Sequence, residues 1–430
     1  MFKLEAFFNP YLPVGQSRLD AVLTITSDAT VSVAAAGRRV IGFVLDNSGS
    51  MNGEKLAQAK LAARRGIETL PAEAWFFVIA FNGRAQVLLP ACAATATAKQ
   101  LAHAQIQELQ AQGSTAMSRG LELALHEVQG CKAEIASIYF QTDGENGHDD
   151  TERLGEVIEQ CRGHMQVDCR GIGTEWKPSE LRRIASALMG TADAITDPQA
   201  LADDFQRFLN KSMAKGIAGA TLRLWSPKVI KTVLVKQMSP EIVDLLPKAS
   251  RVDEKTLDIP LGAWGTESKD YQLSFKLPDG SLGDEVLACR ATLLFQGQEG
   301  ETKLTCDPIA ATWSEDERLT TRINKEVAHY TGQTELADSI REGLEAQAQG
   351  DEDRATRLLG QAVRLAAQSG NEEVTRRLKK VVDVVDAASA TVRLRKADKA
   401  AAMELDMGAT RTVRRRSGPA PSAASSTPQP

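Results

Sequence analysis

The chain has 430 residues, of which 43% are hydrophobic and 25% are charged, and its formal net charge is -5. This length exceeds one ordinary hydrophobic core, so we expect several domains, and the composition is typical of a globular protein. Because the chain is slightly acidic and only its far C-terminal region is basic, we expect no nucleic-acid binding, which needs a basic face or stripe.

The first segment, MFKLEAFFNPYLP, has a short apolar patch that Glu5, Asn9 and two prolines interrupt, and no small-residue cleavage pattern follows it. No later stretch approaches the roughly 18 uninterrupted apolar residues that a membrane-spanning helix requires. The six cysteines form no CxxC pair, and the spacing of Cys161, His164 and Cys169 fits no zinc template. We therefore expect reduced thiols, no disulfides, no membrane association and a cytoplasmic location.

Residues 1–37 include LDAVLTITSDATVSVAA, which alternates as a strand does. In residues 38–215, apolar runs of strand length alternate with amphipathic helical stretches, which predicts an α/β doubly wound parallel sheet of the Rossmann-like kind. Near-continuous apolar runs indicate strands that are buried on both faces. The predicted strands end at Asp46, Phe81, Asp143 and Gly173, and a shorter strand is predicted near Ala194.

Residues 216–313 contain short β-rich segments separated by Pro, Asp-Gly and Gly, which predicts an antiparallel β-sandwich. Because the α/β unit needs no strand before Val40, we assign residues 1–37 to this sandwich and infer that the α/β unit is inserted in it. Residues 314–403 predict a C-terminal helical bundle of three or four helices, with Gly332, Gly350 and Gly370 between candidate helices. Residues 404–430 carry few large apolar side chains, so we predict a disordered tail.

The sharpest motif is Asp46-Asn47-Ser48-Gly49-Ser50, directly after a buried strand and just before a helix. Ligands of an open parallel sheet bind beyond the carboxyl ends of its strands, and Thr115 and Asp143 belong to two further loops at that edge. Hydroxyl and carboxylate oxygens without His or Cys select a hard cation, so we expect Mg²⁺ or Mn²⁺. Neutral hydroxyl ligands leave the ion electrophilic, so that a protein partner can supply an acidic residue to it.

This set resembles the metal-ion-dependent adhesion site of von Willebrand factor A domains, over roughly residues 38 to 212. The family pattern of DxSxS, a distant Thr and a later Asp is matched at all five positions. The resemblance implies that Ser48, Ser50 and often Thr115 contact the ion directly, while Asp46 and Asp143 act directly or through water. It also implies a protein-binding module without catalytic residues, so we expect that the chain is not an enzyme.

Three other interpretations of these segments are a helix cap, a serine nucleophile and a nucleotide-binding loop. The DNSGS segment can serve as a helix N-cap through Ser50 or Asn52, with Asp143 shaping a turn. A nucleophilic Ser48 would need a G-x-S-x-G elbow and a partnered histidine, neither of which is recognisable. The segment from Gly171 begins like a dinucleotide fingerprint but lacks its third glycine, and no P-loop occurs.

The tail sequence AAMELDMGATRTVRRR presents Thr410 and Thr412 as candidate phosphorylation sites for a Ser/Thr kinase, against the plainer interpretation of a solvated basic tail. Thr410 with Val413 resembles the phosphothreonine motif that forkhead-associated (FHA) domains prefer. The chain also resembles bacterial cytoplasmic von Willebrand A proteins linked to Ser/Thr kinases, PP2C phosphatases and FHA proteins, some of them in tellurium-resistance or stress systems. The main hypothesis is a scaffold in phosphosignalling or stress response; the alternative is a substrate-recruiting subunit for an AAA-type ATPase of the MoxR or chelatase kind.

Overall fold

The computed structural model describes residues 2–28, 38–297, 300–322, 324–396 and 399–414. Three strands come first: β1 (Phe2–Phe8), β2 (Tyr11–Pro13) and β3 (Arg18–Ser27). All six cysteines are free thiols. In these described ranges, no helix is both long and apolar enough to cross a membrane.

A six-stranded sheet with helices on both faces follows. Its elements are β4 (Arg39–Asp46), α1 (Glu54–Glu68), β5 (Trp75–Phe81), β6 (Ala85–Ala93), α2 (Ala96–Glu108), α3 (Met117–Gly130), β7 (Ile135–Thr142), α4 (Thr151–Cys161), β8 (Gln166–Ile172), α5 (Pro178–Ala187), β9 (Ala192–Ile195) and α6 (Leu201–Met213). The strand order is β6-β5-β4-β7-β8-β9. Helices α3, α4 and α5 cover one face, and α1, α2 and α6 cover the other.

The predicted α/β fold is confirmed, with one correction to the parallel sheet. The neighbours from β5 to β9 are parallel, but β6 pairs with β5 in the antiparallel direction, so the sheet is mixed. The central strands β4 and β7 are buried at every position, which explains their continuous apolar sequences. The edge strand β6 is half exposed and contains Pro90, so it lacks that signal.

In the described residues, nine strands form the region that follows the α/β unit directly. They are β10 (Ile217–Trp225), β11 (Lys231–Ser239), β12 (Val243–Asp244), β13 (Ser250–Arg251), β14 (Thr256–Trp264), β15 (Glu267–Lys276), β16 (Glu285–Gly297), β17 (Gly300–Thr305) and β18 (Ile309–Ser314). Two sheets form, in the orders β1-β3-β15-β11-β12 and β13-β14-β10-β16-β18-β2, with β17 beside β16. Their facing side chains share one hydrophobic core, to which strands from before and after the α/β unit contribute.

The last region is mostly helical. Its elements are α7 (Glu317–Thr320), α8 (Lys325–Ala348), α9 (Glu352–Ser369), α10 (Glu372–Val381), β19 (Val382–Asp386), β20 (Thr391–Leu394) and α11 (Lys399–Gly408). Gly350 and Gly370 follow helix ends with φ of +80° and +67°, as expected, but Gly332 lies inside α8. The hairpin of β19 and β20 was not predicted, although its valine-rich strands favour β structure.

The prediction of disorder from residue 404 is wrong for residues 404–414, whereas residues 415–430 lie outside the described part of the chain. Helix α11 inserts Met403 and Met407 into the apolar core of the α/β unit. Leu405 of the same helix and Ala409, directly after it, are buried in the core of the helical region. These few apolar residues are enough to order the segment because they are buried in two separate cores. The composition of the segment alone does not reveal this.

Close packing against the amino end of β8 restricts the loop between α5 and β9. A Cβ atom added at Gly190 would lie 1.8 Å from the carbonyl oxygen of Val167 and 3.0 Å from the backbone nitrogen of Asp168, both in β8. Because backbone atoms cannot rotate away as a side chain can, this position accepts glycine alone without a shift of β8.

Candidate functional site

Three loops at the carboxyl edge of the α/β sheet are joined by backbone hydrogen bonds. The first follows β4, and its 3₁₀ turn covers Gly49–Met51. The backbone nitrogen of Gly49 donates to the carbonyl oxygen of Gly113 in the second loop, at 3.0 Å. A Cβ atom on Gly49 would lie 3.3 Å from that same oxygen, so the loops approach closely. The two loops are therefore fixed relative to each other before any ligand binds.

Side-chain oxygens of the predicted site residues meet in this space. The hydroxyl of Ser50 donates to Asp143 Oδ1 at 2.6 Å, and the hydroxyls of Ser48 and Ser50 are 3.1 Å apart. The Cβ position of Gly144 would be 3.0 Å from Thr115 Oγ1 and 3.3 Å from Ser50 Oγ. The structure thus brings Ser48, Ser50, Thr115 and Asp143 together from three loops.

Asp46 lies at the base of this cluster and has no solvent exposure. Its Oδ1 accepts a hydrogen bond from the backbone nitrogen of Ser48 at 2.7 Å, and its Oδ2 accepts one from the hydroxyl of Thr142. Burial raises the pKa of Asp46 to about 6, and the negative charge of Asp143 adds to this rise. The hydrogen bonds from Ser48 and Thr142 oppose it. Because both carboxylates are buried, their negative charges require a compensating positive charge.

The positive charge nearest Asp143 comes from Lys55, in the first turn of α1. Its Nζ is 2.5 Å from Asp143 Oδ2, and its side chain is 27% exposed while that of Asp143 is fully buried. This residue was not predicted from the sequence, because the contact joins positions 88 residues apart. The only signal for it was a lysine in the helix that begins directly after the DNSGS loop.

The donor set fits a hard divalent cation. Two carboxylates and three hydroxyls supply only oxygen ligands, and the exposed side of Ser50 leaves the cluster open to solvent. Any ion bound here would have to share Asp143 with Lys55 or displace it. Affinity for a metal should therefore depend on the charge at position 55.

The hydrogen bonds argue against the helix-capping interpretation. Neither the 3₁₀ turn that begins after Ser48 nor α1, which begins after Gly53, has a side-chain cap. The Ser50 hydroxyl bonds to Asp143 instead of to a backbone nitrogen. The hydroxyl of Ser48 bonds to Ser50, and in the part of the chain that the structure describes it has no histidine partner.

The two candidate phosphorylation sites lie in a docked segment. The Thr412 hydroxyl donates to the carbonyl oxygen of Met238, and the Thr412 backbone nitrogen donates to that of Pro240 at 3.0 Å. The carbonyl oxygen of Thr410 accepts from the backbone nitrogen of Ile242 at 2.8 Å. Both threonines are partly buried. The segment therefore pairs with the sandwich over these residues and does not extend freely into solvent.

Arg411 connects this segment to three regions of the molecule. Its guanidinium forms ion pairs with Asp193 of β9 and Glu373 of α10, and its Nε is 4.0 Å from Glu241 of the sandwich. Burial alone would lower the pKa of Arg411, but Asp193 and Glu373 raise it above its ordinary value. Two residues later, the Val413 carbonyl oxygen accepts from Gln333 Nε2 at 2.7 Å. The segment of residues 410–413 is therefore fixed at Thr410 by the sandwich and at Val413 by α8.

Comparison with known proteins gives a consistent family assignment. The family model of the von Willebrand factor type A domain matches residues 40–194, and that of the von Willebrand factor type A C-terminal domain matches residues 364–409. The solved structure of a von Willebrand factor type A protein from Catenulispora acidiphila is 39% identical, with a TM-score of 0.90, and the match covers 96% of this chain and 97% of that one.

Two other relatives extend this comparison. The ArnB paralog VWA2 from Sulfolobus acidocaldarius has the same fold, with a TM-score of 0.60 at 13% identity over 96% of this chain and 98% of that chain. An uncharacterized protein of Synechocystis is 30% identical over 278 residues, or 63% of this chain. The chain spans 64% of the length of that curated relative, so the match leaves about a third of it uncovered.

Proposed function

Because the chain belongs to the von Willebrand factor type A family, we propose that it is a non-enzymatic scaffold that binds a protein partner through a divalent metal ion. The ion, Mg²⁺ or Mn²⁺, would be held by Asp46, Ser48, Ser50, Thr115 and Asp143. The observation that carries this proposal is the convergence of these side chains from three separate loops. Domains of this family are generally protein-interaction modules, which agrees with it.

The side chains of the site are arranged so that a carboxylate of a partner protein can complete the coordination of the ion. When bound, the ion supplies an open coordination position for a carboxylate oxygen of the partner. Asp46 and Asp143 offset its charge, while the backbone bond between Gly49 and Gly113 keeps the first two loops in register. The neutral hydroxyls of Ser48, Ser50 and Thr115 add no further negative charge. The partner that fits is a protein with an exposed Asp or Glu.

Affinity capture with and without EDTA tests the metal-dependent interaction. We expect the parent protein to retain a partner from a cell extract only when Mg²⁺ or Mn²⁺ is present, and to gain thermal stability with the metal. Asp46→Ala and Ser48→Ala should lose both effects. Ser114→Ala is the matched control, because it removes a hydroxyl from the same loop as Thr115 but outside the ligand set. If neither Mg²⁺ nor Mn²⁺ changes the melting temperature of the parent protein, the proposal is contradicted.

We further propose that Thr410 and Thr412 are phosphorylated by a Ser/Thr kinase and then bound by an FHA protein in a bacterial phosphosignalling or stress pathway. Phosphate on the Thr412 hydroxyl is incompatible with its bond to Met238, so the segment must leave the sandwich first. Phosphorylation would therefore trap the released state. Residues 415–430 continue from this segment and lie outside the described part of the chain.

Mass spectrometry after incubation with a cellular Ser/Thr kinase tests this second proposal. We expect phosphate on Thr410 or Thr412, and more of it in Arg411→Met, which lacks the ion pairs that hold the segment. Detection of neither modified threonine in either protein would remove the signalling proposal. A subunit of an AAA-type ATPase, in contrast, should retain its partner when both threonines are replaced by valine.

We also infer that the α/β unit is an insertion in a β-sandwich domain and that the protein acts in the cytoplasm. The pairing of β3 with both β1 and β15 supports the first inference, because it joins strands on either side of the α/β unit. Reduced thiols at all six cysteines support the second. Cysteine labelling of the protein in intact cells, with and without a permeabilising agent, tests the location.

A further inference from the structure

A small cavity of about 50 Å³ lies between the α/β unit and the β-sandwich. Four lysines line it, and two carboxylates face them: Lys211, Lys215, Lys248, Lys269, Glu241 and Glu267. The cavity is separate from the metal site and takes no part in the proposed function. Its lining carries more positive than negative side chains, which is unusual for a space between two packed units.

Lys215 is the most buried of these lysines, with 3% of its surface exposed. Its Nζ donates to Ser137 Oγ at 3.1 Å and to Gln166 Oε1 at 2.8 Å, and both acceptors are neutral. No carboxylate oxygen of the described residues lies within 4.0 Å of this nitrogen. An ammonium group has three donors, so one is left for another acceptor. A buried charge whose nearest counter-ions make no direct contact with it is only partly stabilised.

The carboxylates of the cavity are committed to other cations. Glu267 pairs with Lys269 at 3.1 Å, and the Lys269 ammonium also lies 4.1 Å from the centre of the Trp264 ring. Glu241 faces Arg411. Burial lowers the pKa of Lys215 to about 8; the carboxylate of Asp168 opposes this change, and the like charges of Lys211 and Lys269 add to it. Lys215 therefore remains mostly protonated near neutral pH, and among the described residues Asp168, the carboxylate that offsets its charge most, lies beyond ion-pair distance of 4.0 Å.

We propose that this cavity binds one small inorganic oxyanion of the size of phosphate or sulfate. A buried water needs roughly 10–15 Å³ of such space, so about 50 Å³ admits a tetrahedral anion and excludes a nucleotide or a lipid headgroup. The anion accepts the third donor of Lys215 and neutralises the excess charge of the neighbouring lysines. Since its ligands come from both units, its binding holds the α/β unit against the sandwich.

Equilibrium dialysis of the full chain with radiolabelled phosphate tests the proposal. The buffer contains EDTA and has constant ionic strength, so that neither the metal site nor screening contributes. We expect saturable binding of one phosphate per chain, and at least a tenfold weaker affinity in Lys215→Met. Lys231→Met is the matched control, because Lys231 is an exposed lysine of β11 outside the cavity, and it should bind as the parent does.

Thermal unfolding in phosphate and in chloride gives a second measurement. Phosphate stabilises most proteins by exclusion from their surfaces, so only the difference between parent and Lys215→Met is informative. Equal shifts in both proteins, or no saturable binding to the parent, would overturn the proposal. If Lys215→Met does not fold, Lys269→Met is used as the cavity variant in both experiments. Dialysis of the parent protein still tests whether the cavity binds phosphate. Failure of this experiment leaves the metal-dependent function unaffected.

Discussion

Replacement of Asp46 by Asn should stabilise the metal-free protein while it destroys the metal response. Asp46 is fully buried, and burial raises its pKa to about 6. A folded-state pKa above the ordinary value of about 3.9 means that the ionised carboxylate destabilises the fold at neutral pH. The amide of Asn has a similar shape and carries no charge, so that cost disappears in the variant.

The size of the effect follows from the pKa difference and from one lost hydrogen bond. The rise of the Asp46 pKa from about 3.9 to about 6 corresponds to about 3 kcal/mol. The amide nitrogen of Asn cannot accept the bond that Thr142 donates to Oδ2, which removes about 1 kcal/mol of this gain. A net gain of about 2 kcal/mol raises the melting temperature by about 4–8 °C in a domain of this size.

Thermal unfolding of both proteins in EDTA at pH 7.5 and at pH 4.5 measures this gain. As the pH falls from 6 to 4, the folded parent binds a proton before the unfolded chain does, so the parent gains stability and the difference shrinks. Asp143→Asn is the contrasting control, since Asp143 already has Lys55 as its partner and should gain nothing. A lower melting temperature for Asp46→Asn at pH 7.5, or a difference independent of pH, would refute the reasoning.

Gly190→Ala should destabilise the fold by about 3 kcal/mol or more in urea unfolding, because its Cβ would overlap the β8 backbone; Gly130→Ala, with open space at the Cβ position, should stay within about 1 kcal/mol of the parent. Lys55→Met should tighten Mg²⁺ binding several-fold in calorimetry, since it removes the cation that contacts Asp143, and weaker binding would show that Lys55 instead orders the site. Arg411→Met should expose the C-terminal segment to limited proteolysis at low protease concentration, whereas unchanged cleavage would mean that its ion pairs contribute little.

The sequence was sufficient to predict the parts of the fold that depend on local patterns. Strands β4 and β7 are buried on both faces, so their apolar runs are continuous and their ends could be located to within a residue. The loops that follow these strands lie at the same sheet edge, which is why Asp46 and Asp143 could be grouped before any coordinates were known.

What the sequence did not reveal depends on contacts between distant positions. The pairing of Lys55 with Asp143 and of Arg411 with Asp193 leaves no trace in either local segment. Among the described residues the edge strand β6 pairs with β5 alone, so part of its surface is exposed and its sequence is less continuously apolar. Residues 409–414 have a composition typical of disorder, and their order comes from backbone groups that the sandwich and α8 present to them.

The position of α11 has a consequence for synthesis of the chain on the ribosome. This helix packs beside β9 and fills gaps in two cores with Met403, Met407 and Leu405, yet it is translated after every strand that it covers. Until it emerges, the nascent α/β unit displays an unprotected sheet edge and a hydrophobic recess. We expect chaperones to bind the nascent chain mainly during this interval, because apolar surface is then exposed. Premature termination in the same interval would leave a product prone to aggregate.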